Sequence, residues 1–191
     1  MKPSIKLLVG IALLTGCGER SVTDSSVQRQ SRVITPSHQS FGSDVESDLA
    51  TLRRVTAPFH EFAAAKNAGW VAKITGCMTD LAGAGGMGFH YGNTTLIDGS
   101  VRVDEPELLL YEPEQNGRLR LVAVEYIVPY AFHSRDADPP VLFGEQFQRN
   151  DAFQLWGLHA WVWKANPSGM FANWNPAVNC DNTLDQMPMV H

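Results

Sequence analysis

The chain has 191 residues, 44% of them hydrophobic and 18% charged, with a formal net charge of −5. That length bounds it to about one domain, and the apolar share excludes a chain disordered throughout. The acidic balance excludes a nucleic-acid-binding role, since the nearest approach to a basic patch is Arg118 and Arg120 on one predicted strand.

Met1 to Lys6 carries two lysines and no acid, and Leu7 to Thr15 is an apolar run of nine residues. Such a run is too short to cross a bilayer as a helix. It ends in Leu14-Thr15-Gly16-Cys17. This start resembles the signal peptide and lipobox of bacterial lipoproteins. The resemblance implies removal of residues 1–16 and acylation of Cys17, which would anchor the protein stably in a membrane of the cell envelope. Gly18 stands where an Asp would resemble an inner-membrane retention signal. The expected location is therefore the outer membrane, facing the periplasm or the cell surface. Loss of Lys2 and Lys6 would take the net charge from −5 to −7.

Residues 17–43 are rich in Ser, Thr, Gln and Arg and read as a flexible tether. The domain is placed at 44–180. Ser43 or Asp44 with Glu46 suggests a capped helix start. Leu49, Leu52, Val55, Phe59, Phe62 and Ala63 recur at helical spacing, and Pro58 should kink or split that helix. Asn67 and Gly69 stop it. Trp70 to Asp80 is ambiguous, with a short strand towards Cys77. The glycine run Gly83 to Gly88 follows, read as a mobile loop or as close backbone packing, and then a strand over Phe89 to Tyr91. Residues 107–112 and 119–128 read as strands, joined by a loop ending in Asn116-Gly117. Residues 155–164 form an aromatic-rich strand, and Asn166 to Gly169 fits a type I turn. Residues 181–191 read as a loose tail. Helix first and sheet afterwards predicts an α+β fold, with the helix covering one face of a curved antiparallel sheet. That order is compatible with a cone-shaped, nuclear-transport-factor-like fold.

With Cys17 assigned to lipid, Cys77 and Cys180 remain. An exported compartment permits one disulfide between them, closing a loop of roughly a hundred residues. Two free buried thiols are the alternative. Neither cysteine has the spacing of a redox or zinc motif.

Gly83 to Gly88 satisfies GxGxxG, but a strand and a turn follow it, so a dinucleotide-binding role is excluded. No serine lies in a GxSxG elbow. The candidate site is His90, Glu107, Glu125, His159 and Trp161. Strand alternation places Glu125 on one face with Leu121, Ala123 and Ile127, and His159 on one face with Trp161 and Trp163. Gly88 is expected to leave room above His90. A carboxylate on an apolar face needs a partner. Two imidazoles and one or two carboxylates from separate strands can bind a divalent metal, although no HxH or HExxH spacing marks them. His60 lies on the helix flank, near enough in the pattern to face the same pocket. The five residues Trp156, Trp161, Trp163, Phe171 and Trp174 are either core or the lining of a pocket for a sugar, a lipid or another flat ligand.

The blocks GMGFHYGN, PELLLYEP followed by NGRLRLVAVEYIVP, and LHAWVWKANPSGMFANWNP resemble segments of an uncharacterised family of exported bacterial proteins. The resemblance spans about Leu49 to Cys180 and implies one domain, with no activity attached. Three functional classes stay open: a small-ligand or metal-binding module, a structural or interaction protein of the envelope, and a metal-assisted enzyme.

Overall fold

The computed structural model describes residues 41–189. The expected signal peptide, the lipidation at Cys17 and the tether up to residue 40 lie outside the described residues. Helix α1 (Ser43–Thr56) runs into a 3-10 turn over Ala57–His60, and helix α2 (Phe62–Asn67) follows. Pro58 makes the break. It is the second residue of the 3-10 turn, and it has no N–H with which to continue the α1 ladder. The start of α1 differs from expectation. Gly42 is the N-cap, its carbonyl accepts the Glu46 N–H at 3.0 Å, and Ser43 turns its hydroxyl to Asp44, so no capping box forms. Leu49 and Leu52 are fully buried as expected, but Ala65 rather than Ala63 is the buried alanine of α2. The intervening 3-10 turn resets the helical phase.

The strands are β1 (Ala72–Lys73), β2 (Cys77–Asp80), β3 (Gly86–Gly92), β4 (Leu108–Pro113), β5 (Leu119–Pro129), β6 (Val141–Leu142), β7 (Glu145–Gln146), β8 (Gln148–Asn150), β9 (Leu155–Ala160) and β10 (Gln186–Met189). The main sheet runs β10-β2-β3-β4-β5-β9-β8, with β1 also on β3, and curls strongly into a half-barrel. Neighbours are antiparallel except β10, which pairs parallel with β2. The α+β class is thus as expected. The segment read as a loose tail differs: Gln186–Met189 adds an edge strand whose register starts at Cys77. The Cys77–Cys180 disulfide is present, with Cα atoms 5.7 Å apart, and it holds the approach to that strand.

Apolar residues fill both faces of the sheet. Leu109, Tyr111, Val124, Tyr126, Trp156 and Leu158 pack beneath Leu49, Leu52, Ala65 and Trp70 of the helical layer. Three side-chain hydrogen bonds pin that layer at its margins. Tyr111 Oη donates to the Phe59 carbonyl at 2.8 Å, Trp70 Nε1 to the Pro106 carbonyl at 3.2 Å, and Trp163 Nε1 to Thr56 Oγ1 at 3.0 Å. The opposite face gathers Met78, Met87, Leu108, Leu110, Ala123 and Ile127. A bulge decides which residues reach it. Leu110 pairs with Ala123 but Tyr111 with Leu121, so Val122 is the extra residue and alternation slips there. Leu121 therefore lies with the helical layer, not beside Glu125 as strict alternation would have it.

Strand β9 stops at Ala160, four residues short of expectation. The chain bends away as Trp161 N–H bonds to Met170 while Trp163 and Lys164 N–H both turn to the Val122 carbonyl, the residue freed by the bulge. Lys164 then reaches the buried Glu112 carboxylate at 2.6 Å.

Candidate metal and ligand site

The face away from the helices carries His90 on β3, Glu125 on β5 and His159 on β9. Glu125 and His159 are direct cross-strand partners, so their side chains leave the sheet together. His90 pairs with Leu110 on β4 and is two strands from β5. In a flat sheet those two strands would stand about 10 Å apart. The curl tips their side chains towards each other, and His90 Nε2 comes to 3.5 Å from Glu125 Oε2. His159 Nε2 is 3.9 Å from Glu125 Oε1, and the imidazole centroids are 6.1 Å apart. Each of the three residues offers one donor atom such that all lie within 4.8 Å of one another. Bonds of about 2.0–2.2 Å at tetrahedral angles place ligand atoms about 3.3–3.6 Å apart, so one ion needs only a small closure of this triangle.

Each side chain is held from behind. Thr75 Oγ1 lies 2.9 Å from His90 Nδ1. With Nδ1 protonated and donating there, the Nε2 lone pair faces Glu125. Trp161 stacks on His159 at 11° between ring planes, and its own Nε1 is fixed by the Ala172 carbonyl at 2.6 Å. Gly157 makes the space for the carboxylate, since a Cβ there would stand 2.8 Å from Glu125 Oε1.

Burial sets the protonation of the cluster. It pushes His90 down to about 3, helped by the neighbouring His159, and pushes His159 down to about 4. Asn173 opposes the His159 shift without closing a hydrogen bond, and both ring nitrogens of His159 are buried and unpartnered. Burial raises the Glu125 carboxyl to about 8, with Glu107 adding to the rise. At neutral pH the cluster is two neutral imidazoles beside a largely protonated acid. The close approaches between them are not ion pairs in that state.

A cavity of about 80 Å³ opens in front of the cluster. Its walls are Met78, Met87, Leu108, Ile127, Phe153 and Leu155. Its rim is amide: Gln148 and Asn150 come from β8, and Asn173 donates to Gln148 Oε1 at 2.8 Å. No protein-family model, no curated protein and no solved structure matches the chain.

Of the residues singled out in sequence, His90, Glu125 and His159 converge. Glu107 is buried but does not join them, and its Oε2 accepts the Ile127 N–H at 3.1 Å. It supplies an acceptor to β5 where β4 has run out and Pro106 takes over. Trp161 braces His159 from behind and does not line the cavity. His60 is exposed and sits edge-on to Trp163, 4.4 Å between centroids, away from the site. The aromatic residues divide between the two faces, so they form no single indole-lined pocket. Thr75, Gly157 and Asn173 went unmarked in sequence. A lone glycine inside the aromatic strand was the available signal for Gly157.

Gly88 does not leave room above His90. Its φ is +87°, and a Cβ there would lie 2.4 Å from the Tyr111 carbonyl oxygen. The glycine run is a fixed turn in which the Asp80 carboxylate accepts the Ala82 and Ala84 N–H groups at 3.1 and 2.6 Å, and Gly86 exchanges backbone bonds with Asn175. The close-packing expectation for this run is the one that holds. Gly88→Ala is expected to cost at least about 1–2 kcal/mol from the left-handed backbone alone, with the steric displacement in addition. A wild-type urea midpoint for that variant would contradict the account.

Proposed function

We propose that the protein is a lipid-anchored component of the cell envelope whose domain binds a divalent transition-metal ion through His90, Glu125 and His159. The observation that carries this is His159. A fully buried imidazole with neither nitrogen hydrogen-bonded faces a buried carboxyl that is itself without a cationic partner. Unpaired buried polar groups cost on the order of 1–3 kcal/mol each, and one cation would satisfy all three side chains together. Two imidazoles and one carboxylate suit a borderline ion such as zinc. Thr75 behind His90 supplies the outer contact that such ligands generally have.

The anchoring part of the proposal rests on the Leu14-Thr15-Gly16-Cys17 sequence, which supports attachment at Cys17. Among the described residues no helix is long and apolar enough to cross a membrane. The helix layer over a curled sheet supports the cone-shaped, nuclear-transport-factor-like reading at the level of fold analogy, which carries no activity.

The test is metal titration of the purified, tag-free chain after treatment with a chelator. One equivalent of zinc or cobalt(II) should bind. His159→Ala or Glu125→Ala should weaken binding by about 100-fold or more, and Thr75→Val by about 10-fold, the lower end of outer-contact effects. Stoichiometric binding that survives His159→Ala unchanged would refute the site.

A further inference from the structure

We infer that the cavity is a ligand chamber in which a small monoanion with a compact apolar body, of the monocarboxylate class, binds directly to the metal held by His90, Glu125 and His159. This rests on the metal reading of the site and names what the metal would hold.

The first step is coordination. The cluster supplies three protein donors from three strands. A tetrahedral ion keeps a fourth position, and in structural sites a fourth protein residue fills it. Here Glu107 is the remaining buried acid near the cluster, and its carboxylate is turned to the Ile127 N–H instead. The side of the triangle that faces away from the sheet is the cavity.

The second step is charge. A divalent ion with two neutral imidazoles and one carboxylate carries a net charge of +1. All three side chains are buried, and an uncompensated charge in such a place is costly. Among the described residues the chamber wall provides no further anion to cancel it. Arg149 borders the chamber, but its guanidinium stacks over Trp156 at 5.3 Å, with the core of the helical layer, so it brings no second cation. One negative charge on the ligand balances the site. A dianion such as phosphate would overshoot with no basic side chain to receive the excess.

The third step is shape. Beyond the cluster the walls are aliphatic, thioether and phenyl, and Phe153 and Leu155 are only partly buried at the outer end. Asn173 stands beside His159 and donates to Gln148, which with Asn150 brings the amides of β8 to the lining. A ligand therefore meets a donor-seeking metal at the floor and an apolar wall along its body. About 80 Å³ admits a short chain, not an extended lipid.

The test uses the full chain loaded with one equivalent of cobalt(II), whose visible spectrum reports coordination. Azide is titrated first, then acetate, butyrate and hexanoate. Azide should change the spectrum saturably, and the carboxylates should do the same with affinity rising about fourfold per added CH₂ until the chamber is full. Phe153→Ala, a partly buried wall residue, should flatten the chain-length dependence. Cobalt bound at one equivalent with a spectrum indifferent to every anion would overturn the chamber while leaving the metal site standing. Azide binding with hexanoate no tighter than acetate would overturn the apolar-bodied ligand. Failure to bind cobalt at all would remove both readings.

Discussion

Replacing both Cys77 and Cys180 by Ser is expected to lower the stability of the domain by about 4–5 kcal/mol, the chain-entropy figure for a loop near 100 residues. The bridge spans 103 positions and joins the start of β2 to the segment ahead of β10. Both sulfurs are fully buried between Phe89 and the partly buried Tyr91 and Leu119, so the serine hydroxyls would also enter an apolar site. The loss should be local before it is global. Strand β10 is held by its parallel pairing to β2, by the Cys77 N–H bond to the Asp185 carbonyl, by the Lys73–Asp185 ion pair and by Gln186 Nε2 on the Cys180 carbonyl. The ion pair is half-exposed and weak, which leaves the backbone pairing and the covalent link as the main anchors. Hydrogen exchange should show β10 losing protection well before β4 and β5 in the double variant. Denaturation with urea measures the global term. A midpoint within experimental error of wild type, with β10 still protected, would mean that the bridge contributes nothing the strand pairing does not already supply.

Disulfide and helix break were legible because each depends on chemistry local in sequence or on simple counting. Two cysteines remain once Cys17 is set aside, and a proline inside a helical pattern must interrupt it. Central strands β4 and β5 were legible because they are buried on both faces and read as apolar runs. What could not be read was anything decided by a neighbour. Alternation along β5 is interrupted by the bulge at Val122, which exists because β4 offers no residue opposite it. The early end of β9 follows from the same bulge, since the freed Val122 carbonyl captures Trp163 and Lys164. Strand β10 carries only Met187 and Met189 towards the core and sits at the sheet edge, and its register comes from pairing with β2. The site shows the same division. Glu125 and His159 could be proposed because charged or polar residues stood out in apolar strands. Their meeting with His90 across an intervening strand depends on sheet curl, which no single strand encodes. Glu107 stands apart for the converse reason: it is buried near Glu125, but the backbone N–H of Ile127 claims its carboxylate.

The pH dependence of the metal-free protein should carry the mark of the cluster. His90 and His159 fall from 6.5 to about 3 and about 4 on folding, burial being the main cause. Between those values and 6.5 the unfolded chain takes up protons that the native state refuses, so their effect is a loss of stability as pH falls through that window. Glu125 and Glu107 rise from 4.5 to about 8, again chiefly through burial. From 4.5 to 8 the unfolded chain releases protons that the native state keeps, so stability is lost as pH rises. The two windows overlap between 4.5 and 6.5, and the metal-free domain should be most stable there. Every tenfold difference in acidity between the folded and unfolded chain corresponds to about 1.4 kcal/mol, so the decline towards pH 8 is on the order of a few kcal/mol. A metal ion ligated by the ionised Glu125 should reverse the alkaline arm, with zinc stabilising the domain more at pH 8 than at pH 5.5. Glu125→Gln should shrink the alkaline decline of the metal-free protein and abolish the response to zinc, while leaving the acid arm set by the histidines. Urea denaturation at a series of pH values, with chelator and with zinc, measures all of these arms. A metal-free domain whose stability climbs steadily from pH 5 to pH 8 would show that Glu125 and Glu107 fold as carboxylates with partners, and the case for a cation among His90, Glu125 and His159 would lose its electrostatic basis.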